Sequence, residues 1–288
     1  MMNPYETVWI IGAKGRLGKA LARILNPMDY RLILTDKSGV DIRNLSEVME
    51  FADRNKPYAI INCAGLTNAR KCEEEPDNAF QTNALGARNA AIAADSIGAK
   101  LVHFSTDDIF AGKKEKLYNE FHEGDSQTTY GITKSFGEEF VKEMTNRFFI
   151  IRSSWVYDRK TLLKIKRGVS EGALLFAMNQ VASPTSTIAL AKFVAKILPT
   201  FEFGTYHYTC EGTCTRLEFI QEAARLMGLE EHFGKAEVHN LQSSIHPDFI
   251  ELDSLMLRML EWEKPPYWKD ELKSYIDNYF ELGGNHGS

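Results

Sequence analysis

Hydrophobic residues in the first half of the chain form short runs that alternate with segments of helical spacing. Apolar runs of about four to eight residues are typical of buried strands, and apolar residues three and four apart are typical of amphipathic helices. Strands and helices that alternate with short connections predict an α/β fold with a doubly wound parallel sheet of the Rossmann type. The pattern predicts strands at 7–11, 31–35, 58–62, 100–104 and 148–151, and helices at 16–25, 45–54, 78–97 and 130–143.

The hydrophobic pattern is less regular in the second half of the chain. Helical spacing predicts helices at 187–198 and 216–227, whereas 161–181 shows no single period. The stretch 247–279 is rich in Leu, Trp and Tyr and is interrupted by two adjacent prolines. These features indicate that the second half forms a structure of a different kind from the first.

The change of pattern predicts a division into two domains. Residues 1–154 are expected to form an NAD(P)-binding Rossmann domain. Residues 155–288 are expected to form mainly a smaller α+β substrate-binding domain that closes over the cofactor, while part of 183–212 returns to the first domain.

Three glycines lie between the first predicted strand and the first predicted helix, at Gly12, Gly15 and Gly18. A dinucleotide needs residues without a Cβ here, because the turn is tight and the pyrophosphate approaches the backbone closely. Asp36 follows the second strand about 20 residues later, where an acid usually binds the adenosine ribose hydroxyls. That position favours NAD(H), but the adjacent Lys37 could receive a 2′-phosphate, so both NAD(H) and NADP(H) are predicted cofactors.

Tyr130 and Lys134 lie four residues apart, which places them on one face of the predicted helix. An ammonium group beside a phenol stabilises the phenolate, which makes the phenol a usable proton donor or acceptor near neutral pH. Thr106 follows the fourth strand and could reach the same substrate oxygen. Trp155 follows the fifth strand and could either form a wall of a sugar pocket or pack in the core.

Composition excludes several classes of partner. The net charge of -5 and a pI of about 5.9 predict no binding to nucleic acid or to an anionic membrane. No apolar run approaches the roughly 20 residues that span a bilayer, and residues 1–6 lack the features of a signal peptide, so a cytoplasmic location is expected. The four cysteines predict reduced thiols, and their spacing predicts no metal site.

Further motifs accompany these elements, and together they resemble the extended short-chain dehydrogenase/reductase superfamily. Within it, the sequence is most similar to the dTDP-4-dehydrorhamnose reductase family. The similar segments extend over nearly the whole chain. They lie at 12–18, 41–42, 62–67, 103–107, 110–112, 118–120, 130–138, 152–157, 180, 184–185, 204–207 and 252–253.

The resemblance implies that the 4-keto group of a dTDP-linked 6-deoxyhexose is reduced. Tyr130 would protonate the alkoxide, Lys134 would hold the nicotinamide ribose, and Thr106 would orient the carbonyl. By the same resemblance, a Mg²⁺ ion at a subunit contact and a homodimer are both compatible with this sequence. Substrate contacts are expected from Thr106, Asp107, Asp108 and Trp155. Additional cofactor contacts are implied for Arg16, Leu17, Asp41, Ile42, Cys63, Ala64, Gly65 and Thr67.

The substrate side departs from the family pattern at several places, two of which bear directly on its chemistry. Asp108 stands where the family usually has Tyr, and His246 stands where an Arg normally precedes Pro247. Adjacent acids after Thr106 also resemble sugar-nucleotide dehydratases, in which a carboxylate abstracts a proton. A dehydratase or epimerase of the same superfamily is therefore one alternative, and a non-catalytic NAD(P)-binding regulatory subunit is another.

Overall fold

The structure, a computed structural model, describes residues 6–25, 29–113, 117–176, 180–240 and 245–280. Its strands are β1 (Glu6–Ile11), β2 (Tyr30–Thr35), β3 (Ala59–Asn62), β4 (Lys100–Thr106), β5 (Leu117–Tyr118), β6 (Phe148–Ser153), β7 (Val156–Tyr157), β8 (Ala173–Phe176), β9 (Val181–Ala182), β10 (Thr185–Ser186), β11 (Gly204–His207), β12 (Cys214–Thr215), β13 (Glu237–Asn240) and β14 (Glu251–Leu252). Its α-helices are α1 (Arg16–Ile24), α2 (Leu45–Asn55), α3 (Ala69–Glu74), α4 (Pro76–Phe80), α5 (Gly86–Ser96), α6 (Thr129–Met144), α7 (Arg159–Ser170), α8 (Thr187–Ile197), α9 (Arg216–Leu226), α10 (Glu230–Phe233), α11 (Leu255–Met259) and α12 (Trp268–Tyr275).

The central sheet has six parallel strands in the order β2–β1–β3–β4–β6–β11. Side chains of β1 alternate between two buried clusters, because successive residues of a strand point to opposite faces. Val8 and Ile10 pack with residues of α1 and α8, whereas Trp9 and Ile11 pack with residues of α2 and α5. Helices therefore cover both faces of the sheet, and the predicted doubly wound α/β fold class is confirmed.

The strand order reverses beside β1, since β2 lies on one side of it and β3 on the other. Ligands of such sheets bind in the crevice outside the carboxyl ends of the strands at this switch point. The turn after β1, the residues after β3 and the end of β4 all meet at this edge of the sheet, and most of the residues predicted to bind the cofactor lie there.

The second half of the chain completes one side of the sheet. β11 pairs with β6 through residues 204–207, and α8 packs against α1. Short two-stranded ladders connect the remaining segments, pairing β5 with β14, β7 with β10, β8 with β13 and β9 with β12. Several of these ladders lie near the carboxyl edge of the sheet, where they contribute walls to the cavity described below.

The helix predicted at 78–97 is not continuous. A π turn at Gln81–Leu85 separates α4 from α5. It carries the buried Asn83, whose Nδ2 donates to the carbonyl of Leu66 and to Oγ1 of Thr133, and whose Oδ1 accepts from the N–H of Leu66. These contacts across the fold, rather than local spacing, explain the irregular turn.

The segment 161–181, which showed no clear period, contains most of α7 and all of β8. Leu162, Ile165 and Val169 are the buried residues of α7 and are three and four residues apart. Residues 177–179 lie outside the described part of the chain.

A buried polar network lies behind β4 and β6. The guanidinium of Arg152 donates from Nε and Nη2 to the carboxylate of Glu138 at 2.7–3.1 Å, and Nη1 donates to the carbonyl of Glu120. The Glu120 carboxylate accepts from the backbone N–H groups of His207, Leu255 and Met256. The network joins the sheet, α6 and the start of α11.

Candidate active site

The turn between β1 and α1 closes tightly against the loop after β3. Gly12 has a φ of +76°, and a Cβ at this position would lie 2.8 Å from the amide nitrogen of Ala64. A side chain at Gly18 would similarly collide with Ala13. Gly15 precedes the first residue of α1 and lines the cavity described next, so the positive end of the helix dipole lies beside that space.

A cavity of about 390 Å³ lies at the carboxyl edge of the sheet. The predicted site residues that line it are Gly15, Arg16, Leu17, Cys63, Ala64, Gly65, Thr67, Thr106, Asp107, Asp108, Tyr130, Lys134 and Trp155. Gly12 and Gly18 shape the turn beside it without lining it. Thirteen residues predicted from separate stretches of sequence therefore share one cavity.

Buried hydroxyl groups on the cavity wall, among them Oγ of Ser153 and the phenol oxygen of Tyr157, have no hydrogen-bond partner. A buried polar group without a partner is costly, so a polar ligand that supplies the missing hydrogen bonds fits this wall. The small residues of the glycine turn and of the loop after β3 leave room for its pyrophosphate. The residues present therefore fit a dinucleotide.

Asp36 lies outside the cavity, directly after β2. Its carboxylate accepts from the backbone N–H and the hydroxyl of Ser38 and forms an ion pair with Lys14, which lies in the glycine turn. The hydrogen bonds from Lys14 and Ser38 lower the pKa of Asp36 to about 2. The side chain is thus an ionised acceptor held beside the glycine turn.

Asp36→Ala is expected to weaken NADH binding by about tenfold and NADPH binding less, because the variant loses an acceptor for ribose hydroxyls but also loses repulsion of a 2′-phosphate. Titration calorimetry with each dinucleotide measures the ratio of the dissociation constants for NADH and NADPH. Asp53→Ala removes a well-exposed acid of α2 that pairs with Lys56 and serves as the matched control. Selective loss of NADPH binding would show that Asp36 does not contact the ribose.

Asp41 and Ile42 also lie outside the cavity. The Asp41 carboxylate accepts from Nε and Nη2 of Arg43, and Ile42 is buried against α5, where its carbonyl accepts from Asn89. Both residues follow β2 along the chain, and Ile42 contacts α5. Their predicted contact with the adenine stays a prediction.

Tyr130 lies in the first turn of α6. Thr128 caps this helix by accepting from the N–H of Gly131, and the carboxylate of Glu73 accepts from both the N–H and the hydroxyl of Thr129. Gly131 must lack a side chain, because a Cβ there would lie 2.0 Å from the carbonyl oxygen of Asp108. The start of α6 is thereby held directly against the residues that follow β4.

The pKa of Tyr130 is raised, contrary to the expectation from its spacing to Lys134. Burial is the main cause, the charge of Asp108 adds to it, and a hydrogen bond with Thr106 partly opposes it. The phenol is therefore held in its protonated form. Burial lowers the pKa of Lys134 to about 8, and its Nζ donates to the carbonyl of Phe104 at 2.5 Å.

Two adjacent acids follow Thr106 on the cavity wall. Burial and the neighbouring charge of Asp108 raise the pKa of Asp107 to about 7, and the hydroxyl of Thr106 donates to its Oδ1. Oδ2 of Asp108 lies 2.5 Å from Nδ1 of His246, and this hydrogen bond raises the pKa of His246. Asp108 and His246, which both depart from the family pattern, are therefore partners of each other.

Trp155 lines the cavity and stacks with Arg216, whose guanidinium carbon lies 3.6 Å from the ring centroid. Nη2 of Arg216 donates to Oε1 of Gln180, and burial lowers the pKa of Arg216 to about 10. Arg216 and His246 were not assigned to the site from sequence. His246 carried a signal in its departure from the family pattern, whereas Arg216 begins an ordinary amphipathic helix and carried none.

The arrangement provides a proton donor, a hydroxyl beside it and a buried lysine in a cavity that the glycine turn also lines. Reduction of a carbonyl needs such a set, because the oxygen must gain a proton as the carbon gains a hydride. No group of three or more His, Cys, Asp or Glu side chains that could hold a metal ion occurs in the described residues, so no step is assigned to Mg²⁺.

The sheet, the glycine turn and the group of Thr106, Tyr130 and Lys134 define an NAD(P)-dependent oxidoreductase of the extended short-chain dehydrogenase/reductase class. Residues 6–281 match the family model described as the RmlD substrate binding domain. The chain belongs to this family.

Relatives and solved structures agree with this assignment. The chain is 31% identical to the spore coat polysaccharide biosynthesis protein SpsK of Bacillus subtilis, over 93% of this chain and 96% of that protein. It is 30% identical to a dTDP-4-dehydrorhamnose reductase of Streptomyces griseus, over 80% of this chain and 79% of the relative. The crystal structure of the Bacillus anthracis dTDP-4-dehydrorhamnose reductase in complex with NADP superposes with a TM-score of 0.89 at 33% identity, covering 95% of this chain and 99% of that one.

Proposed function

We propose that this protein reduces the 4-keto group of a nucleotide-linked 6-deoxy sugar with NAD(P)H, as its relatives named dTDP-4-dehydrorhamnose reductase do. The observation that carries the proposal is the meeting of Thr106, Tyr130 and Lys134 in one cavity with the glycine turn. The bound dinucleotide supplies the hydride. Each of the three side chains has a role that follows from its position.

Thr106 lies next to Tyr130 and orients the carbonyl oxygen of the sugar towards the phenol. Tyr130 donates its proton to that oxygen as the carbonyl carbon receives the hydride, so the ketone becomes a secondary alcohol. The neighbouring Asp108 favours the protonated phenol, which is the form that a reduction consumes. Lys134 holds the nicotinamide ribose from the same face of α6.

Trp155 and Arg216 are proposed to bind the remainder of the substrate. An indole ring offers a flat apolar face for a sugar, and a guanidinium binds diphosphate oxygens through two parallel hydrogen bonds. Both side chains line the cavity, where they stack on each other. The cavity is therefore expected to hold the dinucleotide at the glycine turn and the nucleotide sugar beside the indole ring.

Incubation with dTDP-4-keto-6-deoxyglucose and either NADH or NADPH tests the proposal. We expect loss of nicotinamide absorbance in proportion to the alcohol formed, with one dinucleotide consumed for each sugar reduced. Binding of dinucleotide without turnover of this or related 4-keto sugars would instead support the alternative of a non-catalytic regulatory subunit.

A dehydratase or epimerase activity is the second candidate, because Asp107, Asp108 and His246 form a proton-accepting group on the cavity wall. Asp108→Asn separates the two activities. A reductase that uses Tyr130 as its proton donor should keep its turnover within about tenfold, whereas removal of a catalytic base costs about 10²–10⁴-fold. The assays are ketone reduction and the redox-neutral conversion of dTDP-glucose, followed by product analysis.

We expect the first outcome, since reduction needs one proton and Tyr130 already supplies it. Conversion of dTDP-glucose with no net consumption of nicotinamide, and its loss in the Asp108→Asn variant, would contradict the reductase proposal.

The proposal extends to assembly and location. Within the described residues, the structure contains no helix with the length and apolar character of a membrane span. Cys63, Cys72, Cys210 and Cys214 are all unpaired thiols, which suits a reducing compartment. A cytoplasmic location is therefore proposed, and a homodimer is proposed by analogy with the family alone. Light scattering coupled to gel filtration tests the oligomeric state, and cell fractionation tests the location.

A further inference from the structure

A carboxylate and an imidazole from distant parts of the chain are paired on the cavity wall. Asp108 follows β4 and is 6% exposed, and His246 precedes β14 and is half-buried. Oδ2 of Asp108 accepts from Nδ1 of His246 at 2.5 Å, and both residues line the cavity together with Thr106 and Tyr130. The hydrogen bond raises the pKa of His246, which favours the charged imidazolium beside the carboxylate. The pair is therefore a charged part of the wall.

His246 is held in place by the segment that carries it. The N–H of Val181 donates to the carbonyl of Asp248 at 2.8 Å, which joins this segment to β9. Pro247 packs closely on Gly112, because a Cβ at Gly112 would lie 2.4 Å from Cβ of Pro247. The backbone on the C-terminal side of His246 is thus anchored at two points, so the imidazole approaches its partner from a defined position.

Asp108 lies beside the group that handles the ketone. Its N–H donates to Oγ1 of Thr106 at 3.2 Å, and its carbonyl oxygen lies against Gly131 in the first turn of α6. Its charge also contributes to the raised pKa of Tyr130. A sugar whose ketone oxygen is held by Thr106 and Tyr130 therefore presents the atoms next to that ketone to Asp108.

The two ring carbons next to the ketone of a 4-keto-6-deoxy sugar differ in chemistry. C3 carries a hydroxyl group, and C5 carries a methyl group. A carboxylate can only accept hydrogen bonds, so the hydroxyl has a partner in it and the methyl does not. A hydrogen bond to a charged acceptor is roughly twice as strong as one between neutral groups. A carboxylate at this place on the wall therefore fits the C3 hydroxyl.

The adjacent acid is less suited to this role. Oδ1 of Asp107 already accepts from the hydroxyl of Thr106 at 3.1 Å. Burial and the charge of Asp108 raise the pKa of Asp107 to about 7, so its carboxyl group is partly protonated near neutral pH. Asp108, in contrast, has His246 as a direct hydrogen-bond donor. Of the two acids, Asp108 is the one whose carboxylate is both oriented and matched in charge by a partner.

We propose that Asp108 recognises the C3 hydroxyl of the 4-keto sugar, and that His246 is a positioning residue that holds the Asp108 carboxylate in the orientation that accepts this hydroxyl. The inference rests on the proposed function for the class of substrate. Neither residue transfers a proton to the ketone, which is the role of Tyr130. A sugar without the C3 hydroxyl would leave the carboxylate desolvated and without its hydrogen bond, and a site built for a hydroxyl discriminates strongly against such an analogue.

Binding in the presence of NADP⁺ tests the proposal without turnover, because the oxidised dinucleotide has no hydride to transfer. Titration calorimetry measures the dissociation constants of dTDP-4-keto-6-deoxyglucose and of its 3-deoxy analogue. We expect the wild-type protein to bind the 3-hydroxy sugar about 10–100-fold more tightly. In Asp108→Ala this preference should fall to within about threefold. Asp53→Ala, which changes an exposed acid of α2, is the matched control and should keep the wild-type preference.

His246→Gln should reduce the same preference by about three- to tenfold, because the carboxylate loses the group that orients it. His232→Gln, which changes an exposed residue of α10, is the control for this variant. A ratio of two affinities is insensitive to a loss of folded protein, since unfolded molecules bind neither sugar. A 2-deoxy analogue should lose the same affinity in the wild-type protein and in Asp108→Ala.

Three outcomes would overturn the inference: equal binding of the two sugars by the wild-type protein, binding of neither, or an unchanged preference in Asp108→Ala or His246→Gln. Selective binding of the 3-hydroxy sugar without its reduction when NADPH replaces NADP⁺ would contradict the proposed function and leave the inference standing. Reduction of both sugars with equal kcat/KM would support the proposed function and contradict the inference.

Discussion

Replacing Tyr130 with Phe should lower kcat by about 10²–10⁴-fold, the range typical of a lost general acid. The ring keeps its place in the cavity wall, and only the proton that the reduced oxygen needs is removed. Affinity for NAD(P)H should change by less than about threefold, because the glycine turn and Lys134 are untouched. Steady-state kinetics with a saturating 4-keto sugar and calorimetric titration of the dinucleotide measure the two quantities separately.

Tyr267→Phe is a suitable control for this experiment. Tyr267 is 44% exposed and does not line the active-site cavity, so its hydroxyl should be dispensable. Equal activity of Tyr130→Phe and the wild-type protein would exclude the assigned mechanism, whatever the identity of the sugar. A loss of dinucleotide affinity equal to the loss of rate would show that the phenol binds cofactor rather than donating a proton.

Replacing Arg152 with Met should reduce the free energy of unfolding by about 3–5 kcal/mol. The change leaves the Glu138 carboxylate buried and without the guanidinium that donates to it at 2.7–3.1 Å. It also removes a donor to the carbonyl of Glu120. Urea denaturation followed by circular dichroism measures the change. Arg225→Met, which breaks an exposed pair with Glu222, should cost less than about 1 kcal/mol.

The pH dependence of this difference has a definite sign. Burial opposes ionisation of Glu138, but Arg152 outweighs it and lowers the pKa of Glu138 to about 2, below its ordinary value of 4.5. The pair therefore stabilises the wild-type protein fully above pH 4.5 and is lost as the pH falls towards 2. In Arg152→Met the largest influence that opposes burial is removed, so the pKa of Glu138 should rise. Acidification should therefore reduce the difference in free energy of unfolding between the two proteins. A difference in free energy of unfolding that stays constant with pH would contradict this account.

The parts of the fold that could be predicted are those in which local pattern and tertiary role coincide. β1 is a continuous apolar run because the sheet buries both of its faces. α6 begins and ends within one residue of the predicted helix, because its local pattern also agrees with its place in the fold. The π turn at Gln81–Leu85 could not be predicted, since it depends on the contact between Asn83 and Leu66. α7 was not predicted either, because 161–181 showed no single period, although its buried residues Leu162, Ile165 and Val169 are three and four residues apart.

The same distinction applies to the site. Glycines that follow a strand, or a Tyr and a Lys on one helix, are recognisable because their spacing is short. His246 reaches Asp108 across 138 positions of sequence, and no local pattern contains that pairing. The raised pKa of Tyr130 could not be predicted for the same reason, because its main causes, burial and the charge of Asp108, exist only in the assembled cavity.

The return of β11 to the sheet has a consequence for synthesis of the protein on the ribosome. When the nascent chain has emerged only as far as β6, that strand has an open hydrogen-bonding edge, and the face of α1 that later packs on α8 is uncovered. We expect the sheet to remain incomplete until residues 204–207 have left the exit tunnel. Nascent chains arrested between these two points should be more sensitive to protease, and should depend more on chaperones, than chains arrested beyond them.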